Sequence, residues 1–333
     1  MNYAIVVGID HYKKRPLNGA VADANAFAGW LTASNQVTVL DSPPDGKQTY
    51  LKLLTSDVGN EIAMGQEIDI ALNDIINDAF NHLNEKNRLY FFFSGHGIGV
   101  TFTNTALCLR LWPELGNFCM SGLKYLDGLV NQGVFDEILT FLDCCREYDA
   151  LKDPRPPGFD YQVPLGTKQP GVITFYSTPY GKLSFEIDED PNKKRGAFTS
   201  FIIEALKGDA ADPAGVVTGG SLKKHIDDNF QSYALKYNKI QSATVDERGG
   251  DNIVICKVAP AAAAYNYVIT FNRTADVTLT GPDLSIIYTA WVSPGEQWQK
   301  TLKIGFHQLK DNGTGEIKFF SNYNVNTVNN ESF

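Results

Sequence analysis

The sequence predicts an α/β fold, in which a mostly parallel central sheet is covered by helices on both faces and is followed by a small all-β domain. Three observations lead to this prediction. Strand and helix patterns alternate through about the first two-thirds of the 333 residues, as in parallel βαβ units. The strand patterns are continuous apolar runs, which indicates burial on both faces. After residue 258 the pattern changes to short alternating runs separated by turn residues.

Each predicted strand is a short apolar or β-branched run that ends at polar or turn-forming residues. Tyr3–Ile9 reads YAIVVGI, and Arg88–Phe93 reads RLYFFF before the turn SGHGIG. Asp136–Leu142 reads DEILTFL and ends at DCCRE. Three further runs complete the set of predicted strands: Gln36–Leu40, Val172–Tyr176 and Asn252–Val258.

Between the strands, apolar residues recur at helical spacing. The predicted helices are Asp23–Leu31, Ile68–Leu83, Phe198–Leu206 and Leu222–Tyr233. Two polar stretches, 147–169 and 186–196, interrupt the alternation and are predicted to be loops. Because long loops in compact domains are often functional, both are candidate gating or cleavage loops.

The predicted organisation is a domain at 1–258, a linker at 259–264 and a small β-rich domain at 265–333. The runs VITF, DVTLT, SIIYTAWV, QKTLKIGF and EIKFFS read as strands of an antiparallel sheet. Trp291 and Trp298 fit either core packing or a contact surface. The role of this domain stays open between substrate recognition, sensing of an activator, assembly and covering of a cleft.

Composition argues against several functional classes. A net charge of −9 and a pI near 5.1 are atypical of nonspecific nucleic-acid binding. No apolar stretch approaches the roughly 20 residues of a membrane span, and MNYAIVVGID lacks the features of a signal peptide. The five cysteines include no CxxC pair and the five histidines form no ligand-spaced cluster, so we expect no structural metal and no cofactor. These features predict a cytoplasmic protein with reduced thiols.

His96 is the first candidate for a catalytic residue. It follows the strand RLYFFF within Ser94-Gly95-His96-Gly97, and ligands of open α/β sheets bind at the carboxyl ends of strands. A lone histidine can be structural, but flanking glycines allow a sharp turn that exposes the imidazole and leaves room for a substrate chain. Amide N–H groups freed by such a turn can stabilise an oxyanion.

Cys144 and Cys145 end the strand EILTFL and lie 48 and 49 positions after His96. Alternation along a strand points their side chains to opposite sides, so one thiol can be packed while the other opens on a cleft. Cys145 lies at the transition into the loop, and we expect the neighbouring Arg146 to lower the pKa of its thiol.

Several segments together resemble the caspase/metacaspase superfamily of cysteine peptidases, and its prokaryotic, metacaspase-like branch in particular. A histidine about 50 residues before the cysteine is part of the caspase pattern. The resemblance covers about residues 1–258, and the matching segments occur in the family's order: YAIVVGIDHY, PLNGAVADA, LYFFFSGHG, LTFLDCCRE and GAFTSFIIEAL. It implies a caspase-like α/β/α sandwich.

The resemblance also implies roles for individual residues. Cys145, the second position after the Asp of the D-x-C motif, matches the nucleophile, and His96 matches the general acid/base. The backbone N–H groups of Gly97 and Cys145 would form the oxyanion hole. In metacaspases two acidic residues line a pocket for Arg or Lys, and these match Asp23 and Asp143.

The match to that pocket motif is incomplete. Ala20 and Ala22 replace a Cys and an Asn of the family's motif, whereas the Asp is kept. Asp23 could also simply cap the helix that follows it. Two carboxylates in one pocket would repel each other, and a bidentate guanidinium would relieve this repulsion. Ser177, after the fifth strand, is also assigned to substrate binding.

A peptidase that cuts after Arg or Lys could process its own basic sites. Lys194 and Arg195, in the run KKRG, are the main candidates, although such a run can be merely a solvated surface. Arg155 and Lys168 are others. Calcium activates some metacaspases, but the acidic stretch 188–190 has no coordinating pattern.

The leading hypothesis is a cysteine endopeptidase that cleaves proteins after Arg or Lys and is held latent until a loop rearranges or is cut. The resemblance suggests a role in bacterial stress or antiphage defence. Expected partners are protein substrates and an activator bound through the C-terminal domain, with no nucleic acid and no membrane. Two alternatives remain: a catalytically silent caspase-like scaffold, and a different thiol chemistry at Cys144 and Cys145.

Overall fold

The structure is a computed structural model, and it describes nine segments: residues 1–34, 51–56, 64–113, 118–148, 154–159, 163–190, 193–258, 266–322 and 329–333. The chain divides into two compact units, Met1–Val258 and Ala259–Phe333. The predicted strand Gln36–Leu40 lies outside the described residues.

The first unit contains thirteen strands and five α-helices within the described segments. The strands are β1 Asn2–Ile9, β2 Leu51–Ser56, β3 Arg88–Ser94, β4 Gly97–Gly99, β5 Thr105–Cys108, β6 Cys119–Ser121, β7 Glu137–Asp143, β8 Gly171–Tyr176, β9 Glu186–Asp190, β10 Lys193–Gly196, β11 Val216–Thr218, β12 Thr244–Arg248 and β13 Val254–Lys257. The helices are α1 Ala20–Ala33, α2 Gly65–Asn81, α3 Gly122–Asn131, α4 Ala197–Glu204, which continues as a π-helical turn over Ala205–Asp209, and α5 Gly219–Leu235.

Six of these described strands form the central sheet in the order β12-β8-β7-β3-β1-β2. All neighbours are parallel except β12, which runs antiparallel to β8. This confirms the predicted mixed α/β fold with a mostly parallel sheet.

Successive residues of β1 enter different cores, as strand alternation requires. Ile5 and Val7 pack with residues of α2 and α3, whereas Ala4 and Val6 pack with residues of α1, α4 and α5. The sheet is therefore buried on both faces, which explains why its central strands read as continuous apolar runs.

Some predictions need correction. The run predicted as the last strand of the sheet, Asn252–Val258, forms β13 and pairs with β11 in a separate two-stranded sheet. The stretch 186–196, predicted to be a loop, contains β9 and β10, which pair as an antiparallel hairpin. Its charged residues hid the strand pattern because they lie on a ribbon outside the central sheet.

The second unit contains seven strands within its described residues. They are β14 Tyr267–Thr270, β15 Ala275–Thr280, β16 Ile286–Val292, β17 Gln297–Lys300, β18 Gly305–Asp311, β19 Ile317–Asn322 and β20 Asn329–Ser332. They form sheets of order β17-β14-β20 and β16-β15-β18-β19.

The expected β-rich character of this unit is confirmed, with two differences in detail. The pair β14–β20 is parallel rather than antiparallel. The run predicted as one strand, QKTLKIGF, divides between the end of β17 and the start of β18. Trp298 is buried in the core of this unit, whereas Trp291 is exposed.

Candidate active site

The candidate site lies where β3 and β7 end side by side. Ser94 and Asp143 are direct partners in the parallel ladder, and the Gly95 N–H donates to the Asp143 carbonyl oxygen at 3.2 Å. His96 lies two residues after Ser94, and Cys145 lies two residues after Asp143. Both line a cavity of about 230 Å³ together with Asp23 and Asp143. The fold therefore brings four residues singled out in the sequence to one cavity.

The His96 imidazole is held in one orientation and one tautomer. Its Nε2 lies 2.7 Å from the backbone carbonyl oxygen of Arg15. A carbonyl oxygen can only accept, so Nε2 carries the proton and Nδ1 has the free lone pair in the neutral ring. The ring also contacts the rings of Tyr12 and Trp112, with centroid separations of 4.6 and 5.3 Å. Burial lowers the pKa of His96, which favours this neutral form.

Tyr12 supports the turn that carries His96. Its phenolic oxygen accepts from the His96 N–H at 3.0 Å and donates to the Cys108 carbonyl at 2.9 Å. Burial raises the pKa of Tyr12 well above its ordinary value, so the phenol keeps the proton that it donates. In the sequence, the only signal that could have indicated this role of Tyr12 is its position directly after Ile9-Asp10-His11.

The two adjacent cysteines have different surroundings. Cys144 is buried, whereas Cys145 is partly exposed. The Cys145 thiol donates to the Ser184 carbonyl at 3.6 Å and accepts from the Ser184 N–H at 3.4 Å. Burial raises the pKa of Cys145, opposed by the Ser184 N–H. The thiol is therefore neutral near pH 7, and a base must remove its proton before it can act as a nucleophile.

Arg146 does not promote ionisation of this thiol, contrary to the expectation from the sequence. Its guanidinium is buried, donates to the Thr105 hydroxyl at 2.9 Å and to the Phe102 carbonyl at 2.6 Å, and lies over the Tyr176 ring. These contacts engage the Arg146 guanidinium with groups other than the Cys145 thiol. The pKa of Cys145 is raised rather than lowered.

Gly97 has its amide directed toward the cysteine segment. The Cys108 N–H donates to the His96 carbonyl at 2.9 Å, so the next pair of the ladder, Gly97 and Leu107, is not hydrogen-bonded. The Gly97 N–H consequently points away from β5, to the side on which the Gly99 N–H donates to the Glu147 carbonyl. A Cβ at position 97 would lie 2.5 Å from the Cys145 carbonyl oxygen, so only glycine fits there.

The two candidate pocket carboxylates are almost fully buried and have different partners. Asp23 accepts from the Ser94 hydroxyl at 3.0 Å, from the Arg195 Nε at 2.6 Å and from the Gly196 N–H. It lies inside α1, which begins at Ala20, and the N-terminal amides of that helix are capped by Asp10 instead. Burial and the neighbouring Asp143 raise the pKa of Asp23 to about 8, against the opposing effect of Arg195.

The hydrogen-bond donors to Asp143 within the described residues are uncharged. Its carboxylate accepts from the Ser184 hydroxyl at 2.8 Å, and from the hydroxyl and N–H of Thr199 at 2.7 and 3.0 Å. Burial raises the pKa of Asp143, and these donors oppose the rise. In the part of the chain that the structure describes, Asp143 therefore brings an acidic group to the cavity without an ion-pair partner.

Ser177 is not brought to the cavity. Its hydroxyl is fully buried, donates to the Cys144 carbonyl at 3.1 Å and accepts from the Cys144 N–H at 3.2 Å. Ser177 thus holds the end of β7 through the backbone of Cys144. Sequence reasoning missed Ser94, whose hydroxyl lies in the cavity and bonds Asp23, and Glu186, which lines the same cavity.

The candidate processing sites differ in exposure. Arg195 is buried, while Lys194, before it on β10, is exposed. Arg155 pairs with Asp69 and donates to the Tyr125 hydroxyl, and Lys168 pairs with Asp136. Of these four side chains, only Lys194 is freely presented to solvent.

Across the described segments, no group of three or more His, Cys, Asp or Glu side chains is arranged to hold a metal ion. None of the helices in that part of the chain combines the length and apolar character that a bilayer crossing requires.

Comparison with known proteins identifies the family to which the chain belongs. Residues 1–244 match the family model of the caspase domain, so the chain belongs to the caspase-domain family. Membership of this family indicates a cysteine peptidase with protein substrates.

Two further comparisons concern curated protein sequences and solved structures. A search of curated protein sequences finds no match. A crystal structure of a protein from Geobacter sulfurreducens is similar at 13% identity, covering 77% of this chain and 99% of that one, with a TM-score of 0.43.

Proposed function

We propose that the protein is a cysteine endopeptidase that cleaves its substrates after Arg or Lys. The observation that carries the proposal is the single cavity lined by Cys145, His96, Asp23 and Asp143. It combines a thiol and an imidazole, the pair needed for nucleophilic catalysis, with two acidic groups that can recognise a cation.

The acylation step follows from the protonation states. The His96 Nδ1 accepts the Cys145 thiol proton, and the Cys145 Sγ forms a bond to the carbonyl carbon of the scissile peptide. The resulting imidazolium then gives its proton to the leaving amine as the C–N bond breaks. The Nε2–H bond to the Arg15 carbonyl stabilises the imidazolium and keeps Nδ1 as the reacting nitrogen.

Deacylation uses the same base. His96 Nδ1 takes a proton from water, whose oxygen attacks the thioester carbon; the C–S bond breaks and the thiol recovers the proton. The Gly97 N–H, directed toward the cysteine segment, and the Cys145 N–H are the donors that we assign to the oxyanion in both steps.

Cation selectivity is assigned to the two carboxylates at the cavity. A substrate guanidinium or ammonium would approach Asp143, whose charge is held only by hydroxyl and amide donors. Bidentate pairing favours Arg over Lys at such a carboxylate. An acidic residue would be repelled, because the cavity is also lined by Asp23 and Glu186.

Latency is part of the proposal because the cavity groups are engaged within the chain. The Cys145 thiol is bonded to the Ser184 backbone, and the Ser184 hydroxyl donates to Asp143. Displacement of the segment that holds Ser184 would release the thiol and this oxygen of Asp143. The exposed Lys194 is the accessible basic residue of the β9–β10 hairpin for self-cleavage.

Fluorogenic peptides ending in Arg, Lys or Asp test the proposal on the wild type, Cys145→Ala, Cys144→Ala and His96→Ala. We expect hydrolysis of the Arg and Lys peptides, loss of activity with Cys145→Ala and His96→Ala, and retention with Cys144→Ala. Absence of turnover by wild type, including after limited proteolysis of the hairpin, would instead support a silent scaffold. Loss with Cys144→Ala and survival of Cys145→Ala would reassign the nucleophile.

A further inference from the structure

Arg195 forms a buried ion pair with one of the two cavity carboxylates. Its Nε lies 2.6 Å from Asp23 Oδ1, and the two side chains are only 6% and 2% exposed. The residues are 172 positions apart in sequence, so the pair ties β10 to α1. A charge pair this well shielded from water is coupled far more strongly than a surface pair.

The Arg195 guanidinium contacts Asp23 without lining the active-site cavity. Arg195 does not line the cavity that holds Cys145 and His96. It lines a separate cavity with Trp30 and Glu189, and its Nη1 lies 3.9 Å from the Glu189 carboxylate. Asp23 itself lines the candidate active-site cavity, so Arg195 can influence that cavity through Asp23 without entering it.

The residue after Arg195 separates the two carboxylates. The Gly196 N–H donates to both oxygens of Asp23, at 2.9 and 3.1 Å. A Cβ at position 196 would lie 2.7 Å from Asp23 Oδ2 and would collide with Asp143 Oδ2. The Gly196 backbone therefore fits between the two acids, where no other residue type could stand.

The two carboxylates are electrostatically unequal as a result. Asp23 has a permanent cation at hydrogen-bond distance, whereas Asp143 is held by the neutral donors of Ser184 and Thr199. Without a cation, two buried acids at such close range share a proton rather than both ionising.

We propose that Arg195 is the built-in counter-ion of Asp23 and a specificity-determining residue of the cavity. By placing a positive charge beside Asp23, it opposes the sharing of a proton between the two acids and favours a net negative charge at Asp143 for a substrate guanidinium. Arg195 acts through Asp23 and does not contact the substrate, so it is a positioning residue. The inference rests on the proposed cleavage after Arg.

Other titratable or charged groups face Asp23 from the elements around it, and all remain unchanged when Arg195 is replaced. Those lining the same cavity are His96, Asp143, Cys144, Cys145, Glu186 and Lys239. A change in the pH response that is specific to Arg195 variants therefore reports on the Arg195–Asp23 pair.

The test measures the KM for an arginyl peptide from pH 5 to 9. A protonated carboxyl attracts a cation less, so KM rises as pH falls through the titration of the acids. Replacing Arg195 with Met removes the cation that lowers the pKa of Asp23. We expect the inflection of KM to move upward by about one pH unit or more in Arg195→Met, so that KM is still falling at pH 9, with a smaller change in kcat. The inflection should return toward the wild-type position in Arg195→Lys.

A double variant keeps the test decisive if Arg195→Met folds poorly. Asp23→Asn combined with Arg195→Met removes both charges of the pair, and we expect its inflection to lie well below that of Arg195→Met. The matched control is Arg88→Met, which breaks a pair with Glu137 at the opposite end of β3. It should leave the inflection at the wild-type pH.

The inference is overturned if Arg195→Met keeps the wild-type inflection, or if kcat falls with KM unchanged at every pH. It is also overturned if the double variant behaves as Arg195→Met does. Failure of the proposed function has a different signature, since the wild type itself would then not cleave the arginyl peptide. In that case, binding of the same peptide to Cys145→Ala, with and without Arg195→Met, measures the same pH shift without catalysis.

Discussion

The Nε2 of His96 lies 2.7 Å from the carbonyl oxygen of Arg15, and this contact fixes which nitrogen can act as the base. Because the carbonyl accepts the Nε2 proton, the Nδ1 lone pair is left for a thiol proton. Two ring contacts and a hydrogen bond from the His96 N–H to Tyr12 hold the turn in the same orientation.

Titration of His96 should occur below the ordinary histidine pKa of about 6.5, because burial lowers its pKa. The ring is protonated below its pKa and cannot then accept the Cys145 proton, so activity should persist to slightly acidic pH. NMR titration of the imidazole signals of Cys145→Ala, with His96→Asn used for assignment, measures this. A midpoint at or above 6.5 would contradict the expected neutral resting state.

Removal of the Tyr12 hydroxyl should impair the turn that carries His96. Tyr12→Phe keeps the ring contact but loses the two hydrogen bonds to the backbone at 96 and 108. A loss of about 1–2 kcal/mol would lower kcat about 5- to 30-fold, with KM little changed.

Tyr125→Phe is the matched control, because Tyr125 is also a buried tyrosine and its hydroxyl donates to Asp69 outside the cavity. Steady-state kinetics of both variants should show the decrease only for Tyr12→Phe. Equal effects on kcat would mean that the loss reflects general stability rather than the His96 turn.

Replacement of Gly97 by Ala should abolish activity. The added Cβ would lie 2.5 Å from the Cys145 carbonyl oxygen and 2.6 Å from the Cys144 sulfur, so β4 and the cysteine segment must separate. Gly29→Ala in α1 is the control, because no neighbouring atom lies within 4 Å of its Cβ position.

Thermal unfolding and peptide hydrolysis check both glycine variants. Gly29→Ala should be active and more stable by about 0.5–1 kcal/mol. An active Gly97→Ala would show that the close approach of β4 to the cysteine segment is not needed for catalysis.

Asp143 should make stability depend on pH in a particular direction. Its folded-state pKa is raised, chiefly by burial, so the folded chain binds a proton more tightly than the unfolded chain. The stability contributed by the protonated form is complete below the unfolded pKa, near 3.9, and is lost as pH rises through the folded pKa.

The variant Asp143→Asn lacks this titration. Its free energy of unfolding relative to wild type should therefore increase between pH 4 and pH 8, as measured by urea denaturation. A constant difference across that range would show that the carboxyl titrates normally in the folded state.

The central part of the fold could be predicted from the sequence because its strands are buried on both faces. β1, β3, β7 and β8 each give an uninterrupted apolar run, and the structure places them as the four inner strands. The outer strands gave no such signal. β12, which reads TVDER, is only half-buried at the sheet edge, where polar residues are tolerated.

Some residues of the site could likewise be predicted from local sequence patterns, whereas contacts between distant residues could not. The sequence indicated His96, Cys145, Asp23 and Asp143, because glycines, strand ends and a recognisable motif surround them. It could not indicate that Arg195, a member of a charged run, is buried against Asp23. That contact joins residues 172 positions apart and arises only when β10 folds beside α1.

The measurement that tests the central claim most directly is the site of reaction with an arginyl chloromethyl ketone. The reagent places a guanidinium at the carboxylates and an electrophilic carbon near the nucleophile. Mass spectrometry of the digested protein should find the adduct on Cys145, and the rate of labelling should fall in His96→Ala. An adduct on Cys144 would contradict the proposed cleavage after Arg by Cys145. Faster labelling by the corresponding aspartyl chloromethyl ketone than by the arginyl one would contradict it as well.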